Sequence, residues 1–342
     1  MALSPMISSK ALGGMPQFVL EVAGEKRLAE ALNAANLPFH VVEERKGYIS
    51  ENSLAVFVHK AAQISGQQNI GLLWSPHLTV ADYGAWGQYV LSAPTLAGAL
   101  LRGAAVMPLH SSADRAWLET SGTVSRYCYH FGLRGHHAYP DIGFSAIGVF
   151  LSIFRAYLGK DWKPSAVLLD FPKVPSSAEA EITYACPVIW NAPRLGIQFE
   201  TSCLQVDGVA GQTKDVVSVG DIRRECRGGP PETIAGQVAA LVWHQLDRNE
   251  ATIDAVAQSL DIGIRSLQRK LEGEGVQFRE IVNHTLSLRA KELLSLSHVS
   301  ISDIAAMLGY ESSNNFSRAF KKTSGMTPTQ YRRDLHSAYR SQ

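Results

Sequence analysis

Two short runs carry side chains suited to reading nucleic-acid bases. In IRSLQRKL, Arg265, Gln268 and Arg269 lie off the face that Leu267 and Leu271 share. In SSNNFSRAF, Ser313, Asn314, Asn315 and Arg318 lie off the face of Phe316 and Phe320. Arginine offers a planar fork to the guanine edge. Asparagine and glutamine offer a donor–acceptor pair to the adenine edge, and both pairings are bidentate in the major groove. For one helix alone, a solvated polar face explains such residues equally well. Two matched helices on a repeated scaffold favour base contact.

That repeat is legible in the spacing. Ile253, Val256, Ala257 and Leu260 match Ile301, Ile304, Ala305 and Leu308, every position offset by 48 residues. The i, i+3, i+4, i+7 pattern is one face of a helix. Thr252 and Ser300 stand where N-caps belong. Each helix stops at a short turn, and a second helix follows: Arg265 to Glu272, then Ser313 to Lys322. Ala257 and Ala305 leave room for close helix crossing, and Gly309 suits a turn that needs positive φ. Helix, tight turn and helix make a helix-turn-helix, which offers its second helix to the major groove. An amphipathic stretch with Phe278, Ile281, Val282, Leu286 and Leu293 joins the two copies.

Charge is local rather than global. The net formal charge is +1, but from Gly263 onward twelve Lys/Arg face seven Asp/Glu. Lys321, Lys322, Arg332 and Arg333 are candidate phosphate contacts, which position a protein on DNA without reading sequence. The 342 residues suggest two domains. The boundary falls in QTKDVVSVGDIRRECRGGPPE, where Gly, Pro and charge replace the apolar runs. We therefore expect residues 1–211 as one domain, 212–234 as a linker and 235–342 as a DNA-binding domain. Four scattered cysteines with no CxxC pair predict free thiols in a reducing compartment. The start MALSPMISSK has no secretory pattern, and no apolar run of about 18 residues predicts a membrane span. These features read as cytoplasmic.

The tail FKKTSGMTPTQYRRDL, with Phe320, Gly325, Pro328, Tyr331 and Arg332, resembles the signature of the AraC/XylS family of bacterial transcription regulators. Gly325 would end one helix, Thr327 cap the next and Pro328 open it. The resemblance covers about residues 235–337. It implies seven helices with two helix-turn-helix units, on successive major-groove segments about 34 Å apart. By that likeness Arg265, Gln268 and Arg269 form the first base-reading set, and Ser313, Asn314, Asn315 and Arg318 the second. Glu272 and Glu274, acidic at the end of the first recognition helix, depart from what phosphate contact favours.

The N-terminal part reads as mixed. Residues 115–122 and 124–133 suggest a hairpin, with Ser125, Tyr127, Tyr129 and Phe131 on one side of its second strand. Residues 142–159 suggest a long apolar helix, and 165–171 and 195–201 two further strands. Leu96, Ala99, Leu100 and Ala104 share a helix face. The fold class is thus an α+β N-terminal domain followed by an all-α C-terminal domain with two helix-turn-helix units. The stretches GAWGQYVLSAPTLAGAL and CPVIWNAPRLGIQF resemble the "arabinose-binding" type effector domain of one AraC subgroup, over roughly 25–210. That resemblance implies a small-molecule sensor without implying arabinose. Trp86, Tyr89, Tyr127, Tyr129 and Trp190 are candidates for its lining; plain core packing is the competing account of each.

No GxSxG, HExxH, P-loop or strand-linked GxGxxG is present, so no enzyme, catalytic residue or cofactor is expected. His136 and His137, if extended, point to opposite faces and make a poor chelating pair. Cys128 and His130 share a strand face, but no metal site is expected. Cys226 in RRECRGG is the thiol that an alkyl-accepting repair protein would need, yet it falls in the expected linker. We expect a sequence-specific regulator, an activator, acting with RNA polymerase as a homodimer under a small-molecule effector. The alternative is an effector-independent regulator whose N-terminal domain serves dimerisation or a protein partner.

Overall fold

The computed structural model describes residues 3–66, 69–175, 177–208, 217–246, 251–296 and 299–340. The chain divides into two units: Ser4–Ala35 with Phe39–Pro230, and a second built on Pro231–Gln342.

The first unit is organised by alternation in the expected hairpin. β3 (Arg115–Ser121) and β4 (Val124–His130) pair antiparallel, from Arg115 opposite His130 to Ser121 opposite Val124. Ser125, Tyr127 and Tyr129 on β4 are buried, as is Phe131 beyond it. β5 (Ala166–Leu169), β6 (Val188–Trp190) and β7 (Leu195–Glu200) complete a sheet of order β3-β4-β7-β5-β6, antiparallel except for the β5–β6 pair. A separate antiparallel pair joins β1 (Met6–Ser8) to β2 (Tyr48–Ser50). The helices of this unit are α1 (Met15–Ala23), α2 (Glu25–Ala34), α3 (Phe39–Glu44), α4 (Glu51–Ser65), α5 (Ile70–Trp74), α6 (Ala85–Leu91), α7 (Leu96–Val106), α8 (Tyr139–Leu158), α9 (Ser177–Tyr184) and α10 (Val219–Glu225).

α8 covers the tyrosine face of the sheet. Phe150 meets Tyr127 and Tyr129 edge-on, each with ring centroids 5.2 Å apart, and Phe154 meets Phe199 at 4.8 Å. By length and composition α8 is apolar enough to cross a membrane, although the raw sequence predicted no span. Of its most apolar window 61 % is buried inside the unit, which is the burial of a core helix. On α7, Leu96, Ala99 and Leu100 are buried as expected, and Gly103 takes the buried place expected of Ala104.

Residues 209–216, where the first expected boundary falls, lie outside the described residues. The rest of the expected linker holds α10, which belongs to the first unit. Ser218 and Asp221 form a reciprocal capping box at its start. Ile222 is buried, and Glu225 accepts hydrogen bonds from the Ala85 backbone N–H at 2.7 Å and from the Lys10 ammonium.

The second unit contains α11 (Ile234–Gln245), α12 (Ile253–Ser259), α13 (Ile264–Gly273), α14 (Phe278–Ser295), α15 (Ile301–Met307), α16 (Ser313–Ser324) and α17 (Pro328–Arg340). Among the described residues these are seven α-helices, the number the resemblance implied. α12–α13 and α15–α16 are the two copies of the repeat. α14 runs between them and contributes Ala290, Leu293 and Leu294 to the core of the second copy, beside Ile304, Ala305, Leu308, Phe316 and Phe320.

Candidate nucleic-acid interface

The two copies are built by the same local bonds. The Thr252 hydroxyl accepts from the Ala255 N–H at 3.2 Å, and the Ser300 hydroxyl from the Asp303 N–H at 3.0 Å. Each turn is closed by an N–H reaching back five residues: Ile262 to the Ala257 carbonyl at 3.0 Å, and Tyr310 to the Ala305 carbonyl at 2.9 Å. The residue before each of those donors takes positive φ, 53° at Asp261 and 75° at Gly309. The same left-handed position, 48 residues apart, is thus filled once by aspartate and once by glycine. Ala257 and Ala305 are both buried.

The second helices expose five of the seven residues their spacing placed outside. On α13, Leu267 and Leu271 are buried while Arg265, Gln268 and Arg269 are exposed. On α16, Phe316 and Phe320 are buried, Asn314 and Arg318 exposed, and Ser313 and Asn315 half-buried. Ser312 caps α16 by accepting from the Asn315 N–H at 3.2 Å. The Arg318 guanidinium donates to Asn315 Oδ1 at 2.7 Å, so these two side chains lie on one face of the helix.

Lys321, Lys322 and Arg333 are exposed. Arg332 is half-buried, and its Nε donates to the Leu294 carbonyl at 3.3 Å, at the C-terminal end of α14 where a cation is favoured. Of the two acidic residues that close the first recognition helix, Glu274 has a task inside the unit. Its carboxylate oxygens accept from the N–H groups of Ile234 at 2.8 Å and Ala235 at 2.9 Å, the first two residues of α11. A carboxylate at a helix N-terminus offsets the positive end of the helix. Glu272 remains exposed. Gly325 ends α16 in the left-handed conformation, and Thr327 caps α17, accepting from the Gln330 N–H at 3.3 Å.

Residues 27–207, more than half of the chain, match the family described as the arabinose-binding domain of AraC transcription regulator, N-terminal, and residues 256–334 match a helix-turn-helix domain family. The chain belongs to the AraC family of transcription regulators. It is similar to the HTH-type transcriptional regulator VirS of Mycobacterium tuberculosis, 31 % identical over 100 residues, 29 % of each chain. It is also similar to the HTH-type transcriptional activator RhaS of Escherichia coli, 33 % identical over 85 residues, 25 % of this chain and 31 % of that one. Each match spans less than a third of the relative's length. The crystal structure of transcriptional regulator CdpR from Pseudomonas aeruginosa aligns with 90 % of this chain and 97 % of that one at 20 % identity, with a TM-score of 0.39.

In this AraC-family chain the aromatic residues named for the effector domain fall into separate neighbourhoods. Trp86 and Tyr127 meet across Gly103: a Cβ placed there would lie 3.2 Å from the Tyr127 hydroxyl and 3.8 Å from the Trp86 ring. The Tyr127 hydroxyl is buried and finds no hydrogen-bond partner among the described residues. Tyr129 shares the strand face with Tyr127. Tyr89 lies under the Arg102 guanidinium, 4.9 Å from the ring centroid, and Trp190 packs against Phe144 and Phe171. Trp86, Tyr127 and Tyr129 therefore lie near one another, while Tyr89 and Trp190 have other neighbours.

A buried acidic pair escaped the sequence reading. Glu51 and Asp114 are both fully buried. The Ser111 hydroxyl donates to Glu51 at 2.9 Å, while the Tyr129 hydroxyl (2.6 Å) and the Gly132 N–H (3.0 Å) donate to Asp114. Burial first, then the nearby Asp114 charge, pushes the Glu51 carboxyl well above the usual carboxylate range. Asp114 is also raised by burial, though the Tyr129 and Gly132 donors hold it back. Burial of two carboxyls side by side thus makes the pair hold a proton more tightly than free carboxyls do. Gly132 is glycine because a Cβ there would come within 2.5 Å of both the Ala113 methyl and Glu51 Oε2. Nearby, burial and then the Lys10 charge lower His110 to about 4, leaving it neutral. Nothing in the periodicity could have linked positions 51 and 114.

Among the described residues no group of three or more His, Cys, Asp or Glu is placed to hold a metal ion. Cys128 is buried and His130 exposed. His136 and His137 lie in a turn with ring centroids 4.0 Å apart, rather than on opposite faces of a strand, because the chain bends between β4 and α8.

Proposed function

We propose that this chain is a sequence-specific regulator, an activator, that reads bases with Arg265, Gln268 and Arg269 of α13 and with Ser313, Asn314, Asn315 and Arg318 of α16. Lys321, Lys322 and Arg333 contact phosphates. Arg332 joins them only if it leaves the Leu294 carbonyl. The observation that carries the reading is the duplicated scaffold, whose two second helices each present an exposed Arg beside an Asn or Gln. A small molecule bound by the N-terminal domain controls the DNA-bound state, which requires unequal affinity for two arrangements. The chain acts in the cytoplasm as a homodimer, with RNA polymerase as partner at the promoter.

Selection of binding sites from fragmented genomic DNA by the full chain tests this reading. A recovered motif with two boxes centred about one helical turn apart is the expected result. Recovery of fragments with no shared motif would remove base reading. A thermal-shift screen with small metabolites addresses the control: a ligand at 100 times its dissociation constant adds about 2.7 kcal/mol. No stabilisation by any compound would leave the N-terminal domain as a dimerisation or partner module.

A further inference from the structure

β3 and β6 are the outer strands of the five-stranded sheet. β6 is three residues long, whereas β3 runs over seven in unbroken register with β4, without a bulge or a proline. Short strands, bulges and prolines keep a sheet edge from pairing with another chain, and β3 has none of them.

The hydrogen bonds fix which side of β3 is free. The Thr201 N–H donates to the Thr123 carbonyl at 2.9 Å, which turns the odd-numbered residues of β4 toward β7 and the even-numbered ones toward β3. Arg115, Trp117, Glu119 and Ser121 stand opposite those even-numbered residues and exchange the bonds with β4. Bonding alternates along a strand, so the N–H and C=O groups of Ala116, Leu118 and Thr120 point outward. Among the described residues those groups have no partner. Arg115 and Thr120 are exposed, and Trp117, Leu118 and Glu119 are half-buried.

This edge is complementary to itself. Paired antiparallel with its own copy about Trp117, it sets Ala116 opposite Leu118 and Arg115 opposite Glu119, each twice. Ala116 and Leu118 are outward-bonding residues, so backbone and charge select the same register. Pairing about Leu118 would keep backbone bonds but set Glu119 opposite Trp117 and Arg115 opposite Ser121, with both charges unmatched. Each charge also has a side to spare. Arg115 gives Nη1 to the Ser112 and Asp114 carbonyls, which leaves Nη2. Glu119 uses Oε1 for both Trp117 Nε1 at 2.8 Å and Arg194 Nε at 3.2 Å, which leaves Oε2.

We propose that two copies of this chain join edge to edge along β3, antiparallel about a two-fold axis at Trp117, with Arg115 of each copy paired to Glu119 of the other. The two sheets then form one continuous sheet. This names the surface of the homodimer proposed above and rests on that reading.

Sedimentation of the full chain without DNA tests it. Arg115→Glu sets two carboxylates against each other at both contacts, and Glu119→Arg sets two guanidiniums. Each variant is expected to weaken the dimer about tenfold. An equimolar mixture of the two variants restores both opposite-charge pairs and is expected to recover most of that loss, which damage to the fold could not do. Arg115 is exposed, so Arg115→Glu carries the test alone if Glu119→Arg does not fold. Dimers that the variants leave intact overturn the β3 edge and place the homodimer on another surface. Weakened variants that mixing does not recover overturn it as well. A wild-type chain that stays monomeric at every concentration removes the edge and the homodimer together.

Discussion

Arg318 stands on the open face of α16 with its guanidinium on the Asn315 side-chain oxygen. That contact places both groups on one face of the helix, where the proposed base contacts would compete with it. Arg318→Ala and Arg269→Ala are each expected to cost about 1–3 kcal/mol of specific binding and to relax preference at one base position. Competition assays with single-base operator variants check this. Unchanged affinity and unchanged base preference in Arg318→Ala would remove α16 as a reading helix. Lys322→Ala is expected to behave differently, weakening binding to all sequences evenly and lowering the salt slope by about 1.

At the scale of elements, the repeat is held by caps and turns whose strength is local. Glu274 carries the N-terminus of α11 on its carboxylate. Glu274→Ala is expected to destabilise the second unit by about 1 kcal/mol, read as a lower thermal midpoint. A Glu274→Gln variant, which keeps acceptor capacity on one oxygen but loses the charge, falls between the two. The left-handed turn position gives a paired test. Gly309→Ala places a Cβ at φ 75° and is expected to cost about 1 kcal/mol, whereas Asp261→Gly at φ 53° is expected to be neutral or slightly stabilising. Equal and small effects at both sites would mean that the turns are held by packing alone.

For the whole molecule, the buried carboxyls of the first unit set a pH dependence with a definite sign. Asp141, raised to about 6 by burial, joins Glu51 and Asp114, which are raised as well. A carboxyl whose folded value lies above its unfolded value of about 4 holds its proton more tightly in the folded chain. Its contribution is complete below about pH 4 and is lost as pH rises through the folded value, at about 1.4 kcal/mol per pH unit for each group. For Asp141 that window runs from about 4 to about 6, and for Glu51 it extends higher. Denaturant unfolding of the first unit should therefore show stability falling across this range. Glu51→Gln keeps the shape and removes one titration, so the curve flattens at its upper end. A slope unchanged by Glu51→Gln would mean that Glu51 is ionised in the folded chain.

The sequence by itself determined what depends on near neighbours. The 48-residue repeat, the caps at Thr252 and Ser300, the turn at Gly309, the outward set on α13 and α16, and the 115–133 hairpin all follow from period and local bonding. A helix face or strand alternation is fixed by residues a few positions apart, so a linear reading suffices. Only the tertiary structure decided the long-range pairings. It turned Arg332 onto Leu294, gave Glu274 to the start of α11, docked Glu225 of the expected linker against Lys10 and Ala85, and buried Glu51 beside Asp114. It also packed Trp190 against Phe144 and Phe171 while Trp86 and Tyr127 meet at Gly103, although all three are equally aromatic in the sequence. Such pairings join residues tens to hundreds of positions apart through the packing of whole helices and sheets, and packing leaves no periodic trace in the chain.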